Sequence, residues 1–281
     1  GPHTIFVPPD RDIHGLLTRT NTHLRFTDEE EEIGRRELKA MGIHKGSAFV
    51  CFIARDNAYL ESVMPDQDWS YHDFRNVDIN TYLPALEQIT SEGIYAIRMG
   101  AVVNGPLINY DPMLIDYATE FRTDFMDIYL SARCKYFLTS STGIDGVSMA
   151  FRRPLATVNY VPLEQTWTWI ENGVFIPKKL WSKDKGRYLS FREIMETRMG
   201  LFAHSDLYKE HGICIVDNTE QEICEVVKEI NGRIDGYWSY SDEDEYLQSK
   251  FVKLFQSSRY HGPILTRIGA HFLRHNQELL G

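Results

Sequence analysis

Short apolar runs alternate with amphipathic stretches along most of this chain. Residues 48–54, Ala-Phe-Val-Cys-Phe-Ile-Ala, are apolar without interruption, the mark of a strand buried on both faces. Similar runs at 94–99, 114–117, 136–138, 155–158 and 213–216 predict further strands. Between and after them, helices are predicted over 79–92, 124–132, 143–151, 191–201 and 220–230, with one or two more in 251–280. An earlier helix starts at Thr27, where Glu30 completes a capping box, the acidic run 28–32 suits the positive helix end, and Gly42 stops it. Strands alternating with helices imply parallel βαβ units. The fold class expected is therefore α/β, a Rossmann-like parallel sheet flanked by helices.

The remaining stretches lack a period. Residues 3–26, with Pro8-Pro9, are read as a loop or a short strand, and a polar loop runs from the first strand to about Val77. Residues 160–189 hold Trp167, Trp169, Trp181, Pro162 and Pro177 and are expected to form a long surface loop, a kind of segment that is often functional. The acidic stretch 235–248 is expected to be exposed. There is no internal repeat and no low-complexity segment.

Composition narrows the possible functions. The 281 residues carry a formal net charge of −10, which argues against general nucleic-acid binding while leaving room for a local basic pocket. No apolar run approaches the roughly 20 residues of a membrane span, and no signal peptide is visible. A soluble, cytoplasmic protein is expected. Of four cysteines, none has CxxC spacing, and Cys51, Cys134 and Cys214 read as small core residues suited to a reducing compartment. Gly1-Pro2 has the form of a protease-cleavage scar, so the natural chain is expected to begin further upstream.

Ligands of open α/β sheets bind beyond the carboxyl ends of the strands, so the residues just after each strand are the candidates. Arg55 and Asp56 follow the first strand, and Arg98 and Gly100 the second. Ser140-Ser-Thr-Gly143 lies between a strand and a helix, where backbone N–H groups and hydroxyls can hold phosphate, although Ser141 or Thr142 could equally cap the helix. It is neither a Walker motif nor a dinucleotide fingerprint. Arg55 and Arg98 are expected to grip phosphate oxygens, unless each pairs with a nearby carboxylate such as Asp56 or Asp116. Asn159 and Asp116 are expected at the sugar or acceptor, and Asp56 is the candidate general base. Asp127 reads as a helix-surface residue. The ten histidines lack HxH or HExxH spacing, and Asp242-Glu-Asp244 has no preceding strand, so no metal site is assigned. No nucleophile elbow is present.

A resemblance joins these segments. Phe52-Ile-Ala-Arg-Asp56, Phe74-Arg-Asn-Val-Asp78, Ile97-Arg-Met-Gly100, Ile115-Asp-Tyr117, Asp127-Ile-Tyr-Leu130, Phe137-Leu-Thr-Ser-Ser-Thr-Gly143, Arg153-Pro-Leu155, Asn159, Ile176-Pro-Lys178 and Leu189-Ser-Phe191 together resemble a family of bacterial glycosyltransferases from surface-polysaccharide clusters. The resemblance covers most of residues 25–230. More distantly, Arg55 is similar to the strand-end arginine that contacts the donor diphosphate in fucosyltransferases of the GT-B fold. It implies a GT-B-like donor-binding domain over 45–234, a segment 1–44 left from a reduced or missing first domain, and a helical segment 235–281. It also implies a metal-independent sugar transfer without a cofactor. The donor would be a nucleotide sugar or another phosphosugar, and the acceptor a glycan or a lipid-linked one. Two alternatives stay open: a sugar-nucleotide epimerase or hydrolase, and a donor-binding module without turnover.

Overall fold

The computed structural model describes residues 12–108, 111–256 and 261–281; the reading of Pro8-Pro9 lies outside the described residues. In chain order the elements are α1 (Asp28–Ala40), β1 (Phe49–Ile53), α2 (Ala58–Val63), α3 (Leu83–Ser91), β2 (Tyr95–Arg98), β3 (Leu114–Ile115) and α4 (Tyr117–Glu120). Then come α5 (Asp124–Arg133), β4 (Phe137–Thr139), α6 (Asp145–Ala150), β5 (Leu155–Tyr160), β6 (Val174–Pro177), β7 (Lys179–Ser182) and β8 (Arg187–Tyr188). The last are α7 (Phe191–Glu196), α8 (Ser205–Glu210), β9 (Ile213–Val216), α9 (Glu220–Asp235), α10 (Asp242–Gln256), β10 (Arg267–Ile268) and α11 (Ala270–His275).

Seven strands form one parallel sheet in the order β10-β6-β5-β4-β1-β2-β3. The chain enters at the middle with β1, builds outward through β2 and β3, then returns to the other side of β1 with β4. The strand order thus reverses between β1 and β4, where doubly wound sheets open a crevice for ligand. Both faces are covered. Val50 and Phe52 of β1 pack with Leu86 and Ile89 of α3 and Val226 and Ile230 of α9. Phe49 and Cys51 point the other way, toward Met126, Tyr129 and Leu130 of α5. Two-sided burial explains why β1 reads as an unbroken apolar run.

The α1 capping box forms as expected, with Thr27 Oγ1 accepting from Glu30 N and Glu30 accepting from Thr27 N. That helix docks on α5 through Gly34, where a Cβ would lie 2.1 Å from the Tyr129 ring. Only glycine allows this approach.

Two expectations are corrected. Residues 160–189 are not one long loop: they supply β6 to the main sheet, and β7 and β8 to a second, antiparallel sheet of order β8-β7-β9. The apolar run of β6 is only four residues long and lies between Gly173 and a lysine, which hid it among tryptophans and prolines. The acidic stretch 235–248 is not simply exposed, because α10 begins inside it and buries Asp244, Leu247 and Gln248. Asp244 accepts from Ser241 N and Oγ and pairs with Arg274. Phe251 and Phe255 of α10 and Phe272 of α11 join the core around Phe175 and Phe191. Residues on both sides of 234/235 therefore share one core, and Met41 and Ile43 likewise share one with Phe49 across 44/45. Among the described residues no helix is long and apolar enough to cross a membrane.

Candidate functional site

At the reversal point the ends of β1 and β4 are tied together, since Arg55 N donates to Ser140 Oγ at 2.9 Å. The Arg55 side chain then emerges over this edge beside Arg75, which ends a 3-10 turn over Ser70–Arg75. Arg75 Nη2 donates to Ser141 O at 2.7 Å. Among the described residues neither guanidinium has a carboxylate partner, and both Nε atoms are buried without a hydrogen bond. Burial first, and the Arg75 charge second, push the Arg55 pKa down; burial pushes Arg75 down as well. Guanidinium groups stay charged even so, so two half-desolvated cations lie close together without a direct ion pair, Asp56 acting on Arg55 and Asp145 on Arg75 only from a distance. A group of opposite charge between them would relieve both costs.

Beneath the arginines lies a polar floor. The buried Tyr82 hydroxyl is directed toward Ser140 and Asn159 without an aligned hydrogen bond, and Asn159 Nδ2 is likewise unpartnered. Asn159, at φ +55°, exchanges bonds with Asn218: its N donates to Asn218 Oδ1 at 2.5 Å, and Asn218 N donates to Asn159 Oδ1 at 2.6 Å. Lys178, just after β6, is buried and ion-paired with Asp217 at 2.7 Å, its ammonium also donating to Asn76 O. Beside this floor opens a cleft of about 440 Å³ with Asp56, Glu61, Asp78, Asp217, Asn57 and Asn104 in its walls. Rings of Trp69, Tyr71, His72 and His204 cluster near Arg55, with Tyr71 stacked on His204 at 4.9 Å.

The structure sorts the predicted residues. Arg55 and Asp56 stand at the site. Asp56 Oδ1 accepts from Ala58 N at 3.0 Å and Oδ2 from Asn104 N at 3.3 Å, so its carboxylate also organises the cleft wall. Asn159 is buried under the edge and shapes the floor. Arg98 and Asp116 are elsewhere. Their side chains form a buried ion pair at 3.3 Å, Arg98 donating further to Gly105 O. Asp116 also accepts from Leu107 N and Thr119 Oγ1. The pair pins the loop after β2, and neither member is free for phosphate or sugar.

The turn over Ser140, Ser141, Thr142 and Gly143 also differs from expectation. Three of its donors point inward: Ser141 N donates to Thr139 Oγ1, and Thr142 N and Oγ1 donate to Asp145, to which Thr139 Oγ1 also donates. The fully buried Asp145 carboxylate is thus the turn's own anion. Burial raises its pKa to about 6 despite those bonds. The turn contributes to the site by presenting Ser141 O to Arg75, with Ser141 held at φ +67°, a strained backbone angle for a side-chain-bearing residue.

Arg75, His72, Tyr82 and Lys178 were not singled out from sequence. Arg75 and Lys178 lie inside strings that carry the resemblance, Phe74 to Asp78 and Ile176 to Lys178, and that was the available signal. Among the described residues no group of three or more histidine, cysteine, aspartate or glutamate side chains could hold a metal ion. No protein-family model, curated protein or solved structure matches the chain.

Proposed function

We propose that this chain is a glycosyltransferase whose phosphate-containing donor, a nucleotide sugar or another phosphosugar, is bound by Arg55 and Arg75. The observation that carries the reading is this pair of adjacent guanidinium groups, half-buried and without a carboxylate partner, at the switch point of a parallel sheet. Phosphate oxygens match the guanidinium fork. In sugar transfer, negative charge grows on the departing phosphate, and fixed cations at that place lower the barrier without reorganising. The reaction class comes from the family resemblance, and the arginine pair supports the anion-binding half of it.

The cleft beside the pair would take the acceptor, a glycan or lipid-linked sugar rich in hydroxyls. Asp56 stands in its wall as the base for the attacking hydroxyl. The Tyr71 and His204 rings offer a flat face for a nucleobase or sugar ring. The parallel sheet would be the donor-binding half of a GT-B-like arrangement. The buried free thiols of Cys51 and Cys134 suit the cytoplasm, whereas Cys214 is exposed and not the core residue expected.

A thermal-shift screen against nucleoside diphosphates, sugar nucleotides and phosphoribosyl diphosphate tests the reading. A donor at one hundred times its Kd should stabilise the fold by about 2.7 kcal/mol, a rise in Tm on the order of 5 °C. Arg55→Ala and Arg75→Ala should each cut the rise to about half or less. A shift that survives in full in both variants would place the ligand elsewhere, and no shift with any donor would remove the reading.

A further inference from the structure

We propose that His72 is the third ligand of the anion held by Arg55 and Arg75, and that it gains a proton when that anion binds. The proposal rests on the arginine pair being the anion site. His72 is on the same 3-10 turn as Arg75. Its ring is fixed by neighbours: the Tyr71 centroid is 4.1 Å away, and Trp69 lies nearly parallel at 6.2 Å. The turn is itself anchored, because Ser205 Oγ donates to Ser70 O and Tyr71 O and accepts from Phe74 N. The ring therefore has a set orientation, and its Nδ1 is buried with no hydrogen bond among the described residues.

The charges around this ring are one-sided. The guanidinium charges of Arg55, in the loop after β1, and of Arg75, on its own turn, act on it, and the only ring beyond its own turn that stacks near it among the described residues is His204, on Tyr71. The nearby carboxylates are engaged: Asp68 accepts from Ser70 N, and Asp73 accepts from the side-chain amides of Asn57 and Asn76. Burial, then these cations, hold the imidazole below its ordinary pKa in the free protein. A dianion seated between the guanidinium groups cancels their repulsion and gives Nδ1–H an acceptor. Protonation of His72 and anion binding then favour each other, as linkage requires. Affinity should rise as pH falls through the range in which bound His72 charges, and level off once free His72 is charged too.

Sulfate is a suitable probe, because it stays a dianion across pH 5.5–8 and only the protein titrates. Equilibrium dialysis of radiolabelled sulfate against the full chain, at constant ionic strength, should show binding tightening about tenfold from pH 8 to 5.5, the equivalent of one pKa unit. His72→Gln should flatten this dependence, as should His72→Phe, which keeps the ring stack. His204→Gln should retain it, and Arg55→Ala should weaken binding about tenfold or more at every pH. If the pH dependence persists in the His72 variants, or if wild-type binding needs Arg55 yet does not vary with pH, the role of His72 is overturned while the arginine site stands. No sulfate binding by the wild type at any pH would overturn both.

Discussion

Two arginines end neighbouring strands of the same sheet, and they have opposite fates. Arg98, closing β2, is 5% exposed and locked to Asp116. Arg55, just beyond β1, has no carboxylate partner among the described residues and shares its surroundings with a second arginine. The difference lies in what the next segment brings. After β2, the chain loops back to lay Gly105 O and the Asp116 carboxylate on the guanidinium. After β1, it brings Arg75 and His72 instead. One arginine is closed into the fold by an ion pair, and the other is left half-buried beside a like charge. A strand-end arginine is therefore informative only together with its partner.

The largest effect should come from breaking the closed pair. Asp116→Ala leaves the Arg98 charge buried alone and frees Leu107 N and Thr119 Oγ1. A loss of about 3–5 kcal/mol, and a fall in Tm on the order of 10 °C, should appear in thermal unfolding. Arg55→Ala should act on binding instead. Losing a charged hydrogen-bond donor costs about 1.5–3 kcal/mol, so titration calorimetry should show donor affinity falling about 10- to 100-fold with the fold intact.

Asp145 sharpens the comparison by pH. Its pKa is about 6 in the fold and ordinary in the unfolded chain, so between those values the native state binds the extra proton. Stability contributed by this group must then rise as pH falls through that window. Relative to Asp145→Asn, the wild type should gain about 2 kcal/mol between pH 7 and 4.5 in denaturant unfolding. The smallest effect should be a gain. Arg55→Met removes the repulsion with Arg75 while keeping apolar bulk, and should raise ligand-free stability by about 0.5–1 kcal/mol.

The sheet was legible wherever its strands are buried on both faces, because an apolar run such as 48–54 then has few other readings. Four-residue β6 escaped, since a run that short beside proline and tryptophan does not stand out from a loop. Residues 213–216 were legible as a strand, but their partner was not: β9 pairs antiparallel with β7, outside the main sheet. At the site, Arg55 and Asp56 were found because strand ends can be located from sequence. Arg75 and His72 were not, because a 3-10 turn in a polar loop has no periodicity and only tertiary packing carries it to the strand end. Arg98 and Arg55 look alike in sequence for the same reason.

The order of the sheet also bears on how the chain is made. By the end of β6, at Pro177, six of the seven strands of the main sheet have been synthesised. The outer edge of β6 gains its partner only with Arg267 and Ile268 of β10, about ninety residues later. At ribosomal speed that is roughly 5–20 s, during which a buried-type strand carries an open row of hydrogen-bonding groups, the feature that invites pairing with other chains. The nascent protein is thus most exposed to aggregation after β6 has been made and before its last strand arrives.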